Sequence, residues 1–266
     1  MTPERIALIS DVHGNLTALE AVLADIEARG ITRIFNLGDY VGKGPRGREV
    51  AELCRERCEV NILGNWEDFL LTPEPDFGRE SVGLMWWRLQ AWEQAEWLRT
   101  LPFSHDFWIS GRRVRLFHAS EETVHRRVRF DHDEKEFLGL FQNTEATGFD
   151  LPEPDIVGYA DTHDPYYETD RNRRTVFNTG SVGNCMSDPT PVYVILEGVM
   201  DSDQEAPFGI QWVRVPYDAE AEIAYAAEVG MPELEEYTYE LRTGFYRGNL
   251  REGLEDGEQP TYHRKG

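Results

Sequence analysis

The chain has 266 residues, 40% of them hydrophobic and 29% charged, which suits one large soluble domain, or two small ones, with a sizeable core. Its 27 basic and 49 acidic residues give a formal net charge of −22. That balance excludes sequence-blind binding of nucleic acid and docking on anionic membrane, because both rely on arrays of Lys and Arg.

The first 65 residues alternate in type. Ile6 to Ile9 reads as a short strand, and Leu16 to Ala28 as a helix with Leu16, Leu19, Leu23 and Ile26 on one stripe, stopped by Gly30. Arg33 to Leu37 is a second strand, Gly47 to Arg57 a second helix and Glu59 to Leu63 a third strand. That order implies parallel strands joined by right-handed crossovers. Polar residues follow each strand: Asp11-Val12-His13, Gly38-Asp39, then Gly64-Asn65. In open α/β sheets this edge is where ligands bind. Asp11 and His13, two apart, are expected on one face of an extended segment, which suits two ligands of one ion.

A tryptophan-rich helix is expected from Ser81 to Thr100, with Trp87, Ala91, Ala95 and Leu98 forming a core stripe. Its other tryptophans suit a wall against a flat base. Phe107 to His118 reads as a hairpin turning near Gly111, and Asp155 to Tyr159, Thr175 to Asn178, Val192 to Leu196 and Ile210 to Val215 as further strands. The stretch between His118 and Asp155 gives no clear period. Ala219 to Gly244 reads as two short helices broken at Gly230 and Pro232. Residues 1–248 are therefore expected to form a single domain, with 217–248 as a C-terminal helical extension and 249–266 as a poorly ordered polar tail.

No run approaches the roughly 20 apolar residues of a membrane span, and no targeting segment is visible, so the cytoplasm is the expected compartment. Cys54, Cys58 and Cys185 make no disulfide framework, and the first two, at helical spacing, read as buried thiols. His105, His132 and His263 read as surface or structural histidines. A homo-oligomer is compatible with these features.

Singly, each polar motif has a bland reading as a cap or turn. Together, Asp11-Val12-His13-Gly14-Asn15, Gly38-Asp39-Tyr40-Val41-Gly42, Gly64-Asn65-Trp66-Glu67-Asp68, the lone His118 and Thr162-His163-Asp164-Pro165 occur in an informative order. With Asn178-Thr179-Gly180-Ser181-Val182-Gly183, the chain over about residues 5–200 resembles the calcineurin-like metallophosphoesterases, whose pattern runs DxH, GDxV, GN[H]E, H, GHTHxP. The resemblance implies an α/β fold, a four-layer sandwich of two mixed β-sheets flanked by helices. It also implies two divalent ions (Mn, Fe or Zn) on the strand-end loops. Asp11, His13 and His163 would hold the first ion, Asp39 would bridge, and Asn65 and His118 would hold the second, with Asn15 and Asn65 facing substrate. A metal-activated hydroxide would then attack a small phosphodiester or a dinucleoside polyphosphate.

Two positions depart from the pattern. Asp161 falls where a histidine would ligate the second ion; a carboxylate there favours harder ions, unless Asp161 only caps a turn. Trp66 replaces the histidine of GNHE, and an indole cannot transfer a proton. The Gly-Asn-Trp-Glu-Asp string is similar to a bacterial subgroup that includes diadenosine tetraphosphate hydrolases. A nucleotide leaving group needs little protonation, so phosphoanhydrides and activated diesters are expected to outpace alkyl phosphates. Asp68 and His125 are candidates to replace the lost proton donor. Two rival readings stand beside this one: a phosphomonoesterase or protein phosphatase, and a degenerate member that binds phosphate or metal without turnover.

Overall fold

The computed structural model describes residues 2–72 and 82–248. The chain enters β1 (Glu4–Ile9), crosses by α1 (Leu16–Ala28) to β2 (Arg33–Asn36), and by α2 (Gly47–Arg57) to β3 (Val60–Asn61). These three strands are parallel, as the alternation implies. Asn15 caps α1 by accepting the Ala18 N–H at 3.0 Å, and Gly30 follows its end at φ 69°.

Helices α3 (Asn65–Leu71), α4 (Val82–Glu93) and α5 (Ala95–Leu98) lead to the hairpin of β4 (Ser104–Ile109) and β5 (Arg112–Phe117). After α6 (Glu134–Gly139) come β6 (Ile156–Tyr159), β7 (Tyr166–Thr169) and β8 (Thr175–Asn178). These strands make the second sheet, ordered β4-β5-β6-β8-β7. The chain then returns through β9 (Val192–Gly198) and β10 (Gly209–Arg214), antiparallel additions that complete the first sheet as β10-β9-β1-β2-β3. Helices α7 (Ala219–Glu228) and α8 (Leu234–Thr243) follow.

Strand alternation builds the layers. Ile6 and Leu8 of β1 face Phe107, Leu116, Ile156 and Phe177 of the second sheet, and this apolar seam joins the two sheets. Ala7 and Ile9, one residue out of phase, face Leu19, Val22 and Leu23 of α1 and Trp87 and Ala91 of α4. The far side of the second sheet buries Val157, Tyr159 and Val176 under Phe137, Leu140 and Phe141, at and just beyond α6. The layers are therefore helices, sheet, sheet, helix: the four-layer sandwich of two mixed sheets. Helices α7 and α8 bury Ile223, Ala226, Met231, Tyr237 and Leu241 together, with Trp86 of α4 packed against them.

The tryptophan helix divides at Gln94, yet Trp87, Ala91, Ala95 and Leu98 all stay buried as one stripe. Its expected first residue, Ser81, lies outside the described residues, as do the 249–266 tail and His263. Strand β3 keeps only two of its five expected residues. Cys54, Cys58 and Cys185 are buried and free. Among the described residues, no helix is long and apolar enough to cross a membrane.

Candidate metal centre

Asp11, His13, Asp39, Asp161 and His163 leave their strand ends in the left-handed region, at φ 50°, 49°, 60°, 61° and 63°. Such non-glycine conformations cost about 1–3 kcal/mol each and cluster where function demands them. They also correct one expectation. Asp11 and His13 converge because the backbone curls tightly after β1, with no extended strand carrying them. The curl is tied to the neighbouring loop: the Asp11, His13 and Gly14 N–H groups donate to the carbonyls of Gly38, Asp39 and Tyr40 at 2.9–3.0 Å.

The result is a buried cluster beneath the cleft. Asp11, His13 and His163 bring ligand atoms within 4.8 Å of one another, and so do Asp11, Asp39 and His118. Each imidazole is oriented from behind. Nδ1 lies 3.3 Å from the Val41 carbonyl in His13, 2.7 Å from the Leu37 carbonyl in His118, and against the Asn184 carbonyl in His163. A carbonyl only accepts, so each Nδ1 carries a proton and each Nε2 faces the centre, as in histidines that ligate a metal.

Two observations show that this donor set fits a cation. The Nε2 atoms of His13 and His163 face each other at 3.2 Å, too close for both to carry protons. Both Asp11 carboxylate oxygens and His118 Nε2 are buried without a hydrogen-bond partner, which is costly unless something charged completes them. Burial and the nearby Lys43 charge hold the His13 imidazole well below its usual range, in the neutral form a metal takes. Burial works the same way on His118, but the Asp39, Asp11 and Asp161 carboxylates outweigh it and push that imidazole up to about 10. The centre thus attracts positive charge. Asp39 stands between the two imidazoles: Oδ2 lies 3.4 Å from His13 Nε2, and Oδ1 lies 3.4 Å from His118 Nε2.

Glu67, quoted in the motif but given no role from sequence, positions Asp39. From the first turn of α3 its carboxylate accepts the N–H groups of Asp39, Tyr40, Val41 and Gly64 at 2.9–3.2 Å, while fully buried. Gly64 must be glycine, since a Cβ there would lie 2.2 Å from Asp39 Oδ1. Glu67→Gln replaces two acceptor lone-pair sites with an NH₂ group aimed at N–H donors. It should cost about 3 kcal/mol, since each buried donor left unsatisfied costs about 1–3 kcal/mol, and weaken metal binding with it. Thermal melts of the metal-free protein check this; an unchanged midpoint would contradict the clamp.

The remaining expected residues are placed as follows. Asp161 approaches the centre, with Oδ1 3.9 Å from His118 Nε2. Both its oxygens are already engaged, however: Arg127 Nε and Nη2 donate at 2.8 and 2.9 Å, and Asn65 Nδ2 donates at 2.8 Å. Asn15 is fully buried; besides its capping bond it donates to the Gly183 carbonyl and the Tyr217 hydroxyl, both at 3.1 Å. Asp68 and His125 pair with each other at 2.7 Å on the exposed rim. Trp66 packs edge-on against His13, Phe69 and Trp87, close enough to Gly42 that a Cβ there would lie 2.1 Å from its ring.

Above the centre the cleft has two lobes. One, of about 340 Å³, is lined by Asp161, His163, Arg127 and Arg129; the other, of about 380 Å³, by Phe69, Leu84, Trp87, His125 and Arg247. Lys43, Trp66 and Tyr246 line both. Cations thus gather at the cleft of a strongly acidic chain. Sequence reading missed Lys43 and Arg127; the only signal was Lys43 flanked by glycines directly after the Asp39 motif.

Two mixed sheets carrying a buried carboxylate–imidazole cluster on their strand-end loops define a class of metal-dependent α/β proteins. The calcineurin-like phosphoesterase superfamily domain matches residues 5–200. An uncharacterised protein of Methanocaldococcus jannaschii is 30% identical over 237 residues, covering 82% of this chain and 90% of that one. The crystal structure of a metallophosphoesterase from Sphaerobacter thermophilus superimposes with a TM-score of 0.68 at 26% identity, over 91% of this chain and 99% of that one. That of a hypothetical protein from Pyrococcus horikoshii gives 0.69 at 18% identity over the same shares, a likeness of fold. The chain belongs to the calcineurin-like phosphoesterase superfamily, a metal-dependent family.

Proposed function

We propose that the protein hydrolyses a small phosphodiester or a phosphoanhydride such as a dinucleoside polyphosphate, at a centre of two divalent ions. The observation that carries this reading is Asp39, whose two oxygens face different imidazoles at equal distance. Asp11, His13 and His163 would hold one ion; His118, Asn65 and Asp161 would hold the other, with Asp39 shared. Such ions, when bound, polarise a phosphoryl group and supply an attacking oxygen near neutral pH. The chain's own residues do the rest. Lys43, Arg127 and Arg129 draw an anionic substrate into the cleft. Trp66 and Trp87 offer an apolar wall to the group beyond the scissile bond. The absence of a proton-donating histidine at position 66 supports substrates whose leaving group departs as a stable anion.

The test is hydrolysis by metal-stripped protein reloaded with Mn, Fe or Zn, against aryl diesters, phosphomonoesters and nucleoside polyphosphates. Turnover should require added ion, vanish with EDTA and return on reloading. Activated diesters and phosphoanhydrides should exceed alkyl phosphates by about 10² or more. Metal-independent turnover, or a preference for alkyl monoesters, would contradict the reading. One observation favours a second reading, in which one ion or a phosphate is bound without turnover: Arg127 engages both oxygens of Asp161. One ion per chain and no hydrolysis across the panel would select it.

A further inference from the structure

A lysine ammonium buried beside a metal centre calls for an explanation. Lys43 is only 8% exposed, in the left-handed region at φ 57°. Its Nζ donates to Asn184 Oδ1 at 2.8 Å and lies 6.0 Å from the Trp66 ring centroid. An ammonium has three donors, so this bond leaves two N–H groups at the junction of the lobes. A buried charge with so little compensation is costly unless a ligand completes it.

The lysine is held in place by a relay from the C-terminal helix. Asn184 Nδ2 donates to Glu240 Oε2 at 2.9 Å. Glu240, fully buried on α8, accepts from Arg247 Nε at 2.9 Å and Nη2 at 2.7 Å, and from the Arg247 backbone N–H at 3.0 Å. The Asn184 carbonyl meanwhile holds the His163 ring. One asparagine therefore links the lysine, the metal centre and a helix lying beyond the matched family segment, which ends at residue 200.

Substrate geometry follows from the lobes. A phosphoryl group over the centre would occupy the lobe of Asp161 and His163, leaving the lobe of Trp87 and Leu84 for the rest of the substrate. In that pose the scissile bond would lie where the lobes meet, beside Lys43 and Trp66, which line both.

We propose that Lys43 is a catalytic residue whose ammonium contacts the leaving-group oxygen, supplying the positive charge that Trp66 cannot, and that Glu240 is its positioning residue, acting through Asn184. The proposal rests on the phosphoesterase reading above. Water adds its oxygen to phosphorus and releases its proton to solvent. The bond from phosphorus to the leaving group breaks, and its electron pair goes to the departing oxygen. Lys43 hydrogen-bonds that oxygen as its charge grows, the preorganised stabilisation expected of a fixed cation. Burial brings the ammonium's pKa down to about 8, against the Glu240 charge, so it remains cationic at neutral pH.

The experiment compares wild type, Lys43→Met, Lys43→Arg and Glu240→Gln, all Mn-loaded, on aryl phosphodiesters that differ only in phenol pKa. Lys43→Met should lose about 10²-fold or more on the poorest leaving groups and little on dinitrophenolate, steepening the dependence. Lys43→Arg should keep the wild-type slope. Glu240→Gln should steepen it less, and Lys43→Met combined with Glu240→Gln should be no worse than Lys43→Met alone. A uniform loss across the series, or none, would overturn the assignment to Lys43; additive effects would overturn the relay. Calorimetric binding of inorganic phosphate, whose fourth oxygen occupies the leaving-group position, reads the contact without turnover. Lys43→Met should weaken it at least about tenfold, and equal affinity would overturn the contact. If wild type hydrolyses nothing while this contrast persists, the phosphoesterase reading fails and the Lys43 contact stands.

Discussion

Asp39→Asn should empty the centre and abolish turnover while the fold persists. The substitution is nearly isosteric. An amide oxygen can still accept the Trp66 N–H, which lies 3.0 Å from Asp39 Oδ1, and the Glu67 clamp grips the backbone around position 39 and so survives. What disappears is one negative charge and one of two oxygens facing His13 and His118. Loss of an outer-shell partner typically costs 10–100-fold in metal affinity, and loss of a shared ligand should cost more, about 10³-fold or beyond, with activity falling in step. A melting series with added Mn reads this without turnover. At 100 times Kd, a binding ion stabilises the folded state by about 2.7 kcal/mol. Wild type should show that rise, and the variant little or none. Two tightly held ions in Asp39→Asn would contradict the shared-ligand role.

Asp161→Ala should reduce metal content from two ions to one and remove most turnover. The Arg127 guanidinium would then face His118 with no carboxylate between, adding repulsion to the loss of a ligand. Arg127→Gln is the informative companion. It frees both Asp161 oxygens from a bidentate charge-assisted pair, so the second ion should bind about tenfold tighter. Asp161→His should restore occupancy and shift preference towards Zn, because imidazole is the softer ligand. Two ions in Asp161→Ala, together with unchanged affinity in Arg127→Gln, would make Asp161 a partner of Arg127 only.

The strong apolar periods were legible from sequence. Helix α1 begins and ends where its stripe and glycine indicate, and the hairpin of β4 and β5 turns beside Gly111 as expected. Legibility failed where burial stops writing a period. Strand β7 is a partly exposed edge strand, Tyr-Tyr-Glu-Thr, with no apolar alternation to read. Helix α6 is six residues long, too short for a stripe. Helix α3 was hidden because Gly64-Asn65 reads as a turn when it is the helix entry. At the site, the strand-end motifs pointed to the residues that meet in the cluster, because local order sets which side chains leave which strand. The partners that tune them were illegible. Arg127, Asn184, Glu240 and Arg247 reach the centre from 21 to 141 positions away from the residues they touch, or through one another, so only the fold brings them together.

The central claim is a two-ion centre shared through Asp39. Anomalous diffraction from Mn-loaded crystals tests it most directly. The account predicts two peaks about 3.5–4 Å apart, one among Asp11, His13 and His163, the other beside His118, with Asp39 between them. A single peak, or two peaks that do not share Asp39, would contradict it.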